Sequence, residues 1–88
     1  MALPEGTEID ILPHALEGAA QERPPIRVSD IETTVLWPHW TNCPDEPKAD
    51  TRYEARRWIK NRTVKVYYEI EDGRILIVGV SANRRRPA

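Results

Sequence analysis

Hydrophobic and polar residues alternate most clearly near the end of the chain, where two runs flank an Asp-Gly pair. Every second residue from Thr63 to Glu71 is apolar or aromatic, and nearly every residue from Arg74 to Val80 is apolar. Alternation with a period of two is typical of β-strands. Asp72-Gly73 between two such runs predicts a type I′ turn, which needs positive φ at both positions. The sequence therefore predicts a β-hairpin.

The two turn residues fix which residues face each other in this predicted hairpin. The expected pairs are Glu71 with Arg74, Ile70 with Ile75, Tyr68 with Ile77, and Val66 with Gly79. One face is then a core face carrying Val64, Val66, Tyr68, Ile70, Ile75 and Ile77. The other face is mixed and carries Lys65, Tyr67, Glu69, Arg74, Leu76, Val78 and Val80. The last strand is apolar on both faces, which is typical of an interior strand.

The N-terminal part of the chain begins with an alternating segment and continues with a helical period. Glu8 to Leu12 predicts a short strand at a sheet edge. Pro13 suits the first turn of a helix, which we expect to end near Glu22, before the Pro24-Pro25 pair. The buried stripe of this predicted helix is Ala15, Leu16, Ala19 and Ala20.

A capping-box pattern marks the start of a second helix, with Ser29 followed three residues later by Glu32. Pro38 would end this helix, and its apolar residues are spaced for burial: Ile31, Val35 and Leu36. Residues 39–50 contain two prolines and no hydrophobic period, so they predict a long loop.

The segment from Arg52 to Lys60 has conflicting signals. Its Ala, Glu and Arg content favours a helix, whereas Tyr53, Ala55 and Ile59 alternate as in a strand, with Arg57 out of pattern. We predict a strand, because Asn61-Arg62 then forms a short connection into the hairpin. The order β-α-α-β-β-β predicts one α+β domain over residues 1–88, with two helices on one face of a small antiparallel sheet. Residues 1–7 and 82–88 are expected to be flexible.

Charge is distributed unevenly along the chain. Residues 1–50 carry ten acidic and three basic side chains, whereas residues 51–88 carry ten basic and four acidic ones. A basic half built on a sheet favours an anionic partner, nucleic acid first. A solvated sheet face balanced by an acidic helical layer would explain the same distribution.

Other features narrow the classes of protein. A single cysteine, Cys43, excludes an internal disulfide, and no apolar run approaches the roughly 20 residues of a membrane-spanning helix. The first residues lack the shape of a signal peptide. We therefore expect a soluble cytoplasmic protein. His39 and Cys43 have ligand-like spacing but are only two ligands, so no metal site and no cofactor are predicted.

If the helices cover the Val64/Ile77 face, the opposite face of the sheet combines cations with flat aromatic rings. Such a surface suits phosphates and stacked single-stranded bases. The residues expected on this face are Arg52, Arg56, Trp58, Lys60, Lys65, Tyr67, Glu69 and Arg74.

Two stretches together resemble a known group of small bacterial proteins. One is His14-Ala15 at the start of the first helix, followed by arginines and a helix at Ser29. The other is the ending RYEARRWIKNRTVKVYYEIEDGRILIVGVSANRRR. From about Ile9 to Arg86, the chain resembles the RelE/ParE and BrnT-like toxin superfamily, which includes barnase-like, EndoU and colicin-type nucleases. It is most similar to a related family of unknown function that opens with His-Ala.

The resemblance implies metal-independent RNA cleavage and a cognate antitoxin partner. The catalytic residues that it implies are His14, Arg23 or Arg27, Arg56, Lys65 and Arg84. The chain departs from the pattern one turn after the histidine, where Gly18 replaces a frequent arginine.

The residues themselves allow both functional and structural interpretations. RNA cleavage without metal needs a base, an acid and cations around the phosphorane. His14 is a candidate base or acid, but it could simply close the helix start. Tyr67 could donate a proton or stack a base, but it could also pack against Val78, its expected cross-strand partner. Arg56 and Lys65 could clamp phosphate, although nearby glutamates would pair with them equally well.

The remaining candidates are for nucleic-acid binding. Trp58 is either a stacking platform or a core residue, and the basic run that includes Arg84 and Arg85 favours salt-sensitive phosphate contacts. Arg52, Lys60 and Arg74 complete this predicted set.

Three functions follow from these observations. The first is a toxin-like endoribonuclease that makes 2′,3′-cyclic phosphate ends and is held by an antitoxin. The second is a non-catalytic binding module of the same fold, either immunity- or antitoxin-like or a nucleic-acid-binding regulator. The third is an interaction domain whose basic sheet meets an acidic protein partner.

Overall fold

The structure is a computed structural model and describes residues 8–42 and 53–84. Two helices and five strands make up these ranges: β1 (Ile9–Ile11), α1 (Pro13–Gln21), α2 (Val28–Leu36), β2 (Trp40–Asn42), β3 (Tyr53–Ile59), β4 (Arg62–Glu71) and β5 (Arg74–Asn83). Neither described helix is long or apolar enough to cross a membrane.

The strands form one five-stranded sheet in the order β1-β5-β4-β3-β2. The predicted α+β class and the element order are confirmed, and β1 lies at an edge as expected. Strand β1 pairs with β5 in parallel, however, whereas the other neighbours are antiparallel. Strand direction between β1 and β5 depends on how the chain returns through the helices, which alternation in either strand cannot reveal.

Both helices pack on one face of this sheet, and the core lies between the two layers. Helix α1 lies against β5, and α2 lies against β3 and β4. The helices contribute small or branched residues to the core, and the three central strands contribute Ala55, Val64, Val66, Tyr68, Ile75, Ile77 and Val80. The prediction that the helices cover the Val64/Ile77 face is therefore confirmed.

The β4–β5 hairpin turns at Asp72 and Gly73, which have φ values of 50° and 75°. The predicted pairs from Glu71/Arg74 to Tyr68/Ile77 are present. Beyond them a β-bulge inserts one extra residue in β5, so the register shifts at Tyr67/Tyr68.

The bulge makes three predictions about this hairpin wrong. Val66 faces Val80 instead of Gly79, and Tyr67 faces Gly79 instead of Val78. Val80 consequently turns to the core face, where it is buried, instead of lying on the mixed face. The turn therefore fixes which residues pair only up to the bulge, where the regular ladder of hydrogen bonds is interrupted.

Some apolar residues predicted to be buried are exposed. Ile70 is 47% exposed, close to the turn that closes the hairpin. On α1, Leu16 is 41% exposed and Ala20 is also exposed, so Ala15 and Ala19 alone form its buried stripe. Helix α1 contacts the sheet along a narrow line, because small side chains let it approach closely.

The ends of several elements also differ from the predictions. Helix α2 begins at Val28 with Arg27 as its N-cap and no side-chain cap, so the predicted Ser29 capping box is wrong. Strand β5 continues to Asn83, so the flexible segment predicted from residue 82 begins too early. Residues 1–7 and 85–88 lie outside the described ranges.

Strand β3 confirms the strand prediction for the segment after residue 52. Part of the predicted 39–50 loop is a strand as well, since β2 pairs antiparallel with β3, Trp40 facing Arg56. The rest of that loop lies outside the described residues. A strand of three residues shows no measurable period, so its pairing with β3 could not be found from its own sequence.

Candidate nucleic-acid interface

The sheet face opposite the helices, here called the open face, is built by alternation along the strands. Because Ala55 and Val66 point into the core, their neighbours along β3 and β4 point away from it. No described helix covers this face. It carries Trp40, Glu54, Arg56, Trp58, Lys65, Tyr67 and Glu69.

A row of aromatic and cationic side chains crosses three strands of the open face. Trp40 faces Arg56, and Arg56 faces Lys65 on the next strand. The Cζ atom of Arg56 lies 4.3 Å from the centroid of the Trp40 ring, a cation–π contact. Lys65 forms no ion pair with any residue in the described ranges, so its ammonium group is available to an anionic ligand.

The neighbouring row contains Glu54, whose carboxylate interacts with two of the candidate residues. Glu54 accepts a hydrogen bond from Nε of Arg56 and faces Tyr67 across the ladder. Burial raises the pKa of Tyr67, and the negative charge of Glu54 raises it further, whereas Arg56 lowers it. At neutral pH Tyr67 is thus a protonated phenol that can donate a proton but cannot act as a base.

The structure brings four of the predicted site residues together on the open face: Arg56, Trp58, Lys65 and Tyr67. Trp58 lies two residues along β3 from Arg56 and is half-buried, and its backbone N–H donates to Nδ1 of His39 at 3.1 Å. Two further candidates, Arg52 and Arg85, lie outside the described residues.

Lys60 does not lie on the open face, contrary to the prediction, whereas the register places Arg74 on that face, opposite Glu71. Lys60 forms the β3–β4 turn with Asn61, at φ values of 51° and 66°. Arg74 lies at the other end of the sheet, where its Nε is 3.0 Å from Glu8 and its Nη1 is 3.8 Å from Asp10. Lys60 directly follows β3, and Arg74 is the first residue of β5.

His14 lies in a different layer from three of the other predicted catalytic residues. It is exposed on the first turn of α1, in the helix layer. The sheet separates this layer from Arg56, Lys65 and Tyr67. The structure therefore does not unite the predicted base with the predicted phosphate clamp.

The other predicted cations gather at one corner of the sheet. Arg23, Lys60 and Arg84 line a shared cavity together with Arg62. Arg27, the alternative to Arg23, lines the adjoining cavity. The sequence analysis did not predict a role for Arg62. This residue is two positions from the core residue Val64 in the same strand, so both face the core side of the sheet. An arginine at a core-facing position was the signal that could have identified it.

The open face is not uniformly positive. It carries Glu54 and Glu69 as well as Arg56 and Lys65, and Glu54 forms an ion pair with Arg56. Aromatic surface therefore distinguishes this face more than net charge does. Within residues 8–42 and 53–84, no group of three His, Cys, Asp or Glu side chains converges to hold a metal ion.

Comparison with protein-family models, curated proteins and solved structures gave no match to this chain.

Proposed function

We propose that the protein is a binding module for single-stranded nucleic acid, RNA in the first place, and that the open face is its binding surface. The observation that carries this proposal is the row Trp40–Arg56–Lys65, with Trp58 beside it. Flat rings offer stacking platforms to unpaired bases, and cations between them contact phosphates.

The arrangement favours single strands over duplexes. A duplex hides its base faces, so the tryptophan rings would have nothing to stack on. Glu54 and Glu69 on the same face limit the affinity that charge alone can give. Stacking therefore supplies a larger share of the binding free energy than phosphate contacts, and affinity falls only moderately with salt.

The test is a titration of a fluorescent single-stranded RNA with the wild-type protein and three variants. Trp40→Ala is expected to weaken binding about 5- to 150-fold, since stacking contributes roughly 1–3 kcal/mol per base. Lys65→Gln is expected to weaken binding and to lower its salt dependence. Arg74→Gln is the control, because it removes a cation that is already paired with Glu8 and Asp10 at the far end of the sheet. Equal affinities for all four proteins would refute the open face as the binding surface.

Arg56, Lys65 and Tyr67 favour a second candidate function, the endoribonuclease that the resemblance implies. These three side chains lie in two neighbouring rows of the open face, so a phosphorane bound there would meet two cations and a phenol donor. His14 is not within this group. In this hypothesis a base other than His14 must therefore take the 2′-hydroxyl proton.

Incubation of the purified protein with several RNAs in EDTA tests the catalytic hypothesis. Cleavage to 2′,3′-cyclic phosphate ends, lost in Lys65→Gln and retained in His14→Ala, would support it. Intact RNA throughout would leave the binding module as the function. The cognate antitoxin and the acidic protein partner remain predictions from the sequence.

A further inference from the structure

A second surface, here called the cationic corner, lies where the α1–α2 connection meets the β3–β4 turn and the end of β5. Two adjoining cavities of about 280 Å³ and about 200 Å³ open there and share Pro24, Lys60 and Arg62 as lining residues. Together the two cavities are lined by five basic side chains and one acidic one: Arg23, Arg27, Lys60, Arg62, Arg84 and Asp30.

Tertiary packing creates this corner from segments that are distant in sequence. Arg62 is 8% exposed, and its two terminal nitrogens donate to the carbonyl oxygens of Pro24 and Pro25, the second at 3.2 Å. These bonds hold the α1–α2 connection against the start of β4. The β4–β5 register pairs Thr63 with Asn83, which brings Arg84 to the same end of the sheet.

The cations of the corner have no counter-ions among the described residues. Arg23, Arg27, Lys60 and Arg84 form no ion pair there, and the two described partners of Arg62 are uncharged carbonyl groups. Asp30 lines one cavity but forms no ion pair with the cations. Among these cations Arg62 is the buried one, and burying its guanidinium without an opposite charge is unfavourable. A bound anion would supply the missing charge.

We propose that the cationic corner is a binding site for a phosphate group, in the form of a phosphomonoester or free phosphate. Each cavity is smaller than the roughly 300–1,000 Å³ of a drug-sized pocket, so a compact anion fits better than a whole nucleotide. Guanidinium groups match the geometry of phosphate oxygens and bind them through paired hydrogen bonds. The site is separate from the open face and does not depend on its function.

The test is a calorimetric titration of the full chain with inorganic phosphate and with pyrophosphate, both at constant ionic strength. The double variant Arg23→Gln/Arg84→Gln and the single variant Lys60→Gln are expected to weaken binding at least about tenfold. All three positions are exposed, so these variants should fold normally. Arg74→Gln is the matched control, about 30 Å away along the strands, and should bind like the wild type.

Thermal unfolding provides a second measurement. Phosphate is expected to raise the Tm of the wild type and Arg74→Gln more than that of the corner variants, since a ligand of the folded state stabilises it. Phosphate salts also stabilise proteins generally, and the corner variants measure that general part. No phosphate binding by the wild type, or equal binding by all variants, would overturn the proposal.

Binding of two oligoribonucleotides of one sequence, one with a 5′-phosphate and one with a 5′-hydroxyl, shows whether the phosphate group belongs to a nucleic-acid end or to a small molecule. Tighter binding of the phosphorylated strand, lost in Arg23→Gln/Arg84→Gln, would support a nucleic-acid end as the ligand. Equal binding of both strands, together with binding of inorganic phosphate, would support a small phosphorylated ligand.

Discussion

The guanidinium of Arg56 lies over the ring of Trp40, with its Cζ atom 4.3 Å from the ring centroid. The contact joins β3 to the edge strand β2, which has three residues and one neighbouring strand within the described part of the chain. A short edge strand gains little from backbone pairing alone. This side-chain contact therefore contributes to keeping Trp40 at a fixed position on the open face.

The Arg56–Trp40 contact should be measurable as a coupling energy. A double-mutant cycle with Arg56→Met and Trp40→Leu is expected to give about 0.5–1 kcal/mol in urea unfolding, the range for exposed cation–π pairs. A control cycle pairing Trp40→Leu with Arg74→Gln should be additive, since those residues do not touch. Additivity in both cycles would show that the contact does not contribute to stability.

Tyr67 should make stability depend on pH in the alkaline range. Its pKa is raised above the ordinary value of 10.0, chiefly by burial and also by Glu54, so the folded state holds the phenolic proton more tightly than the unfolded state does. The free energy of unfolding should then be unaffected by this group below pH 10 and fall as pH rises through the folded pKa.

The comparison of wild type with Tyr67→Phe by urea unfolding between pH 8 and 11.5 isolates this effect. Phenylalanine has no proton to lose, so the variant should show a smaller decrease above pH 10. Tyr53 and Tyr68 are present in both proteins, so their contributions cancel in the difference between the two curves. Parallel curves for the two proteins would contradict a raised pKa at Tyr67.

Two of the three isoleucines that the sequence assigned to one core face, Ile70 and Ile77, should differ strongly in their contribution to stability. Ile77 is 0% exposed and Ile70 is 47% exposed. Ile77→Ala is expected to lower the free energy of unfolding by about 2–5 kcal/mol through lost burial and a residual cavity. Ile70→Ala should cost less than about 1 kcal/mol. Similar losses in chemical denaturation would place Ile70 in the core.

Replacing two glycines by alanine should change stability in opposite directions. Gly73 has a φ of 75°, and alanine there is expected to cost about 1–2 kcal/mol. Gly18 lies inside α1, and a Cβ atom would meet the Val80 carbonyl oxygen at an ordinary 3.5 Å. Gly18→Ala should therefore stabilise by about 0.5–1 kcal/mol. Thermal unfolding of both variants measures this, and destabilisation by Gly18→Ala would indicate a tighter approach of α1 to β5.

The open face was largely predictable, because alternation within a strand is a local property. Once Ala55 and Val66 are assigned to the core, Arg56, Lys65 and Tyr67 must lie on the other side. The corner was not predictable in this way. Arg23 and Arg84 were named as catalytic residues together with Arg56 and His14, and Lys60 was named for nucleic-acid binding on the open face, since nothing in the sequence shows that these three cations meet at one corner of the sheet.

The sequence by itself determined the α+β class, the order of the elements apart from β2, and the turn at Asp72-Gly73, because periodicity and turn preference act over a few neighbouring residues. Tertiary structure decided the parallel pairing of β1, the bulge that turns Val80 inward, and the meeting of Arg62 with the Pro24 and Pro25 carbonyls. These features depend on contacts between distant segments, whose free energy no local pattern reports.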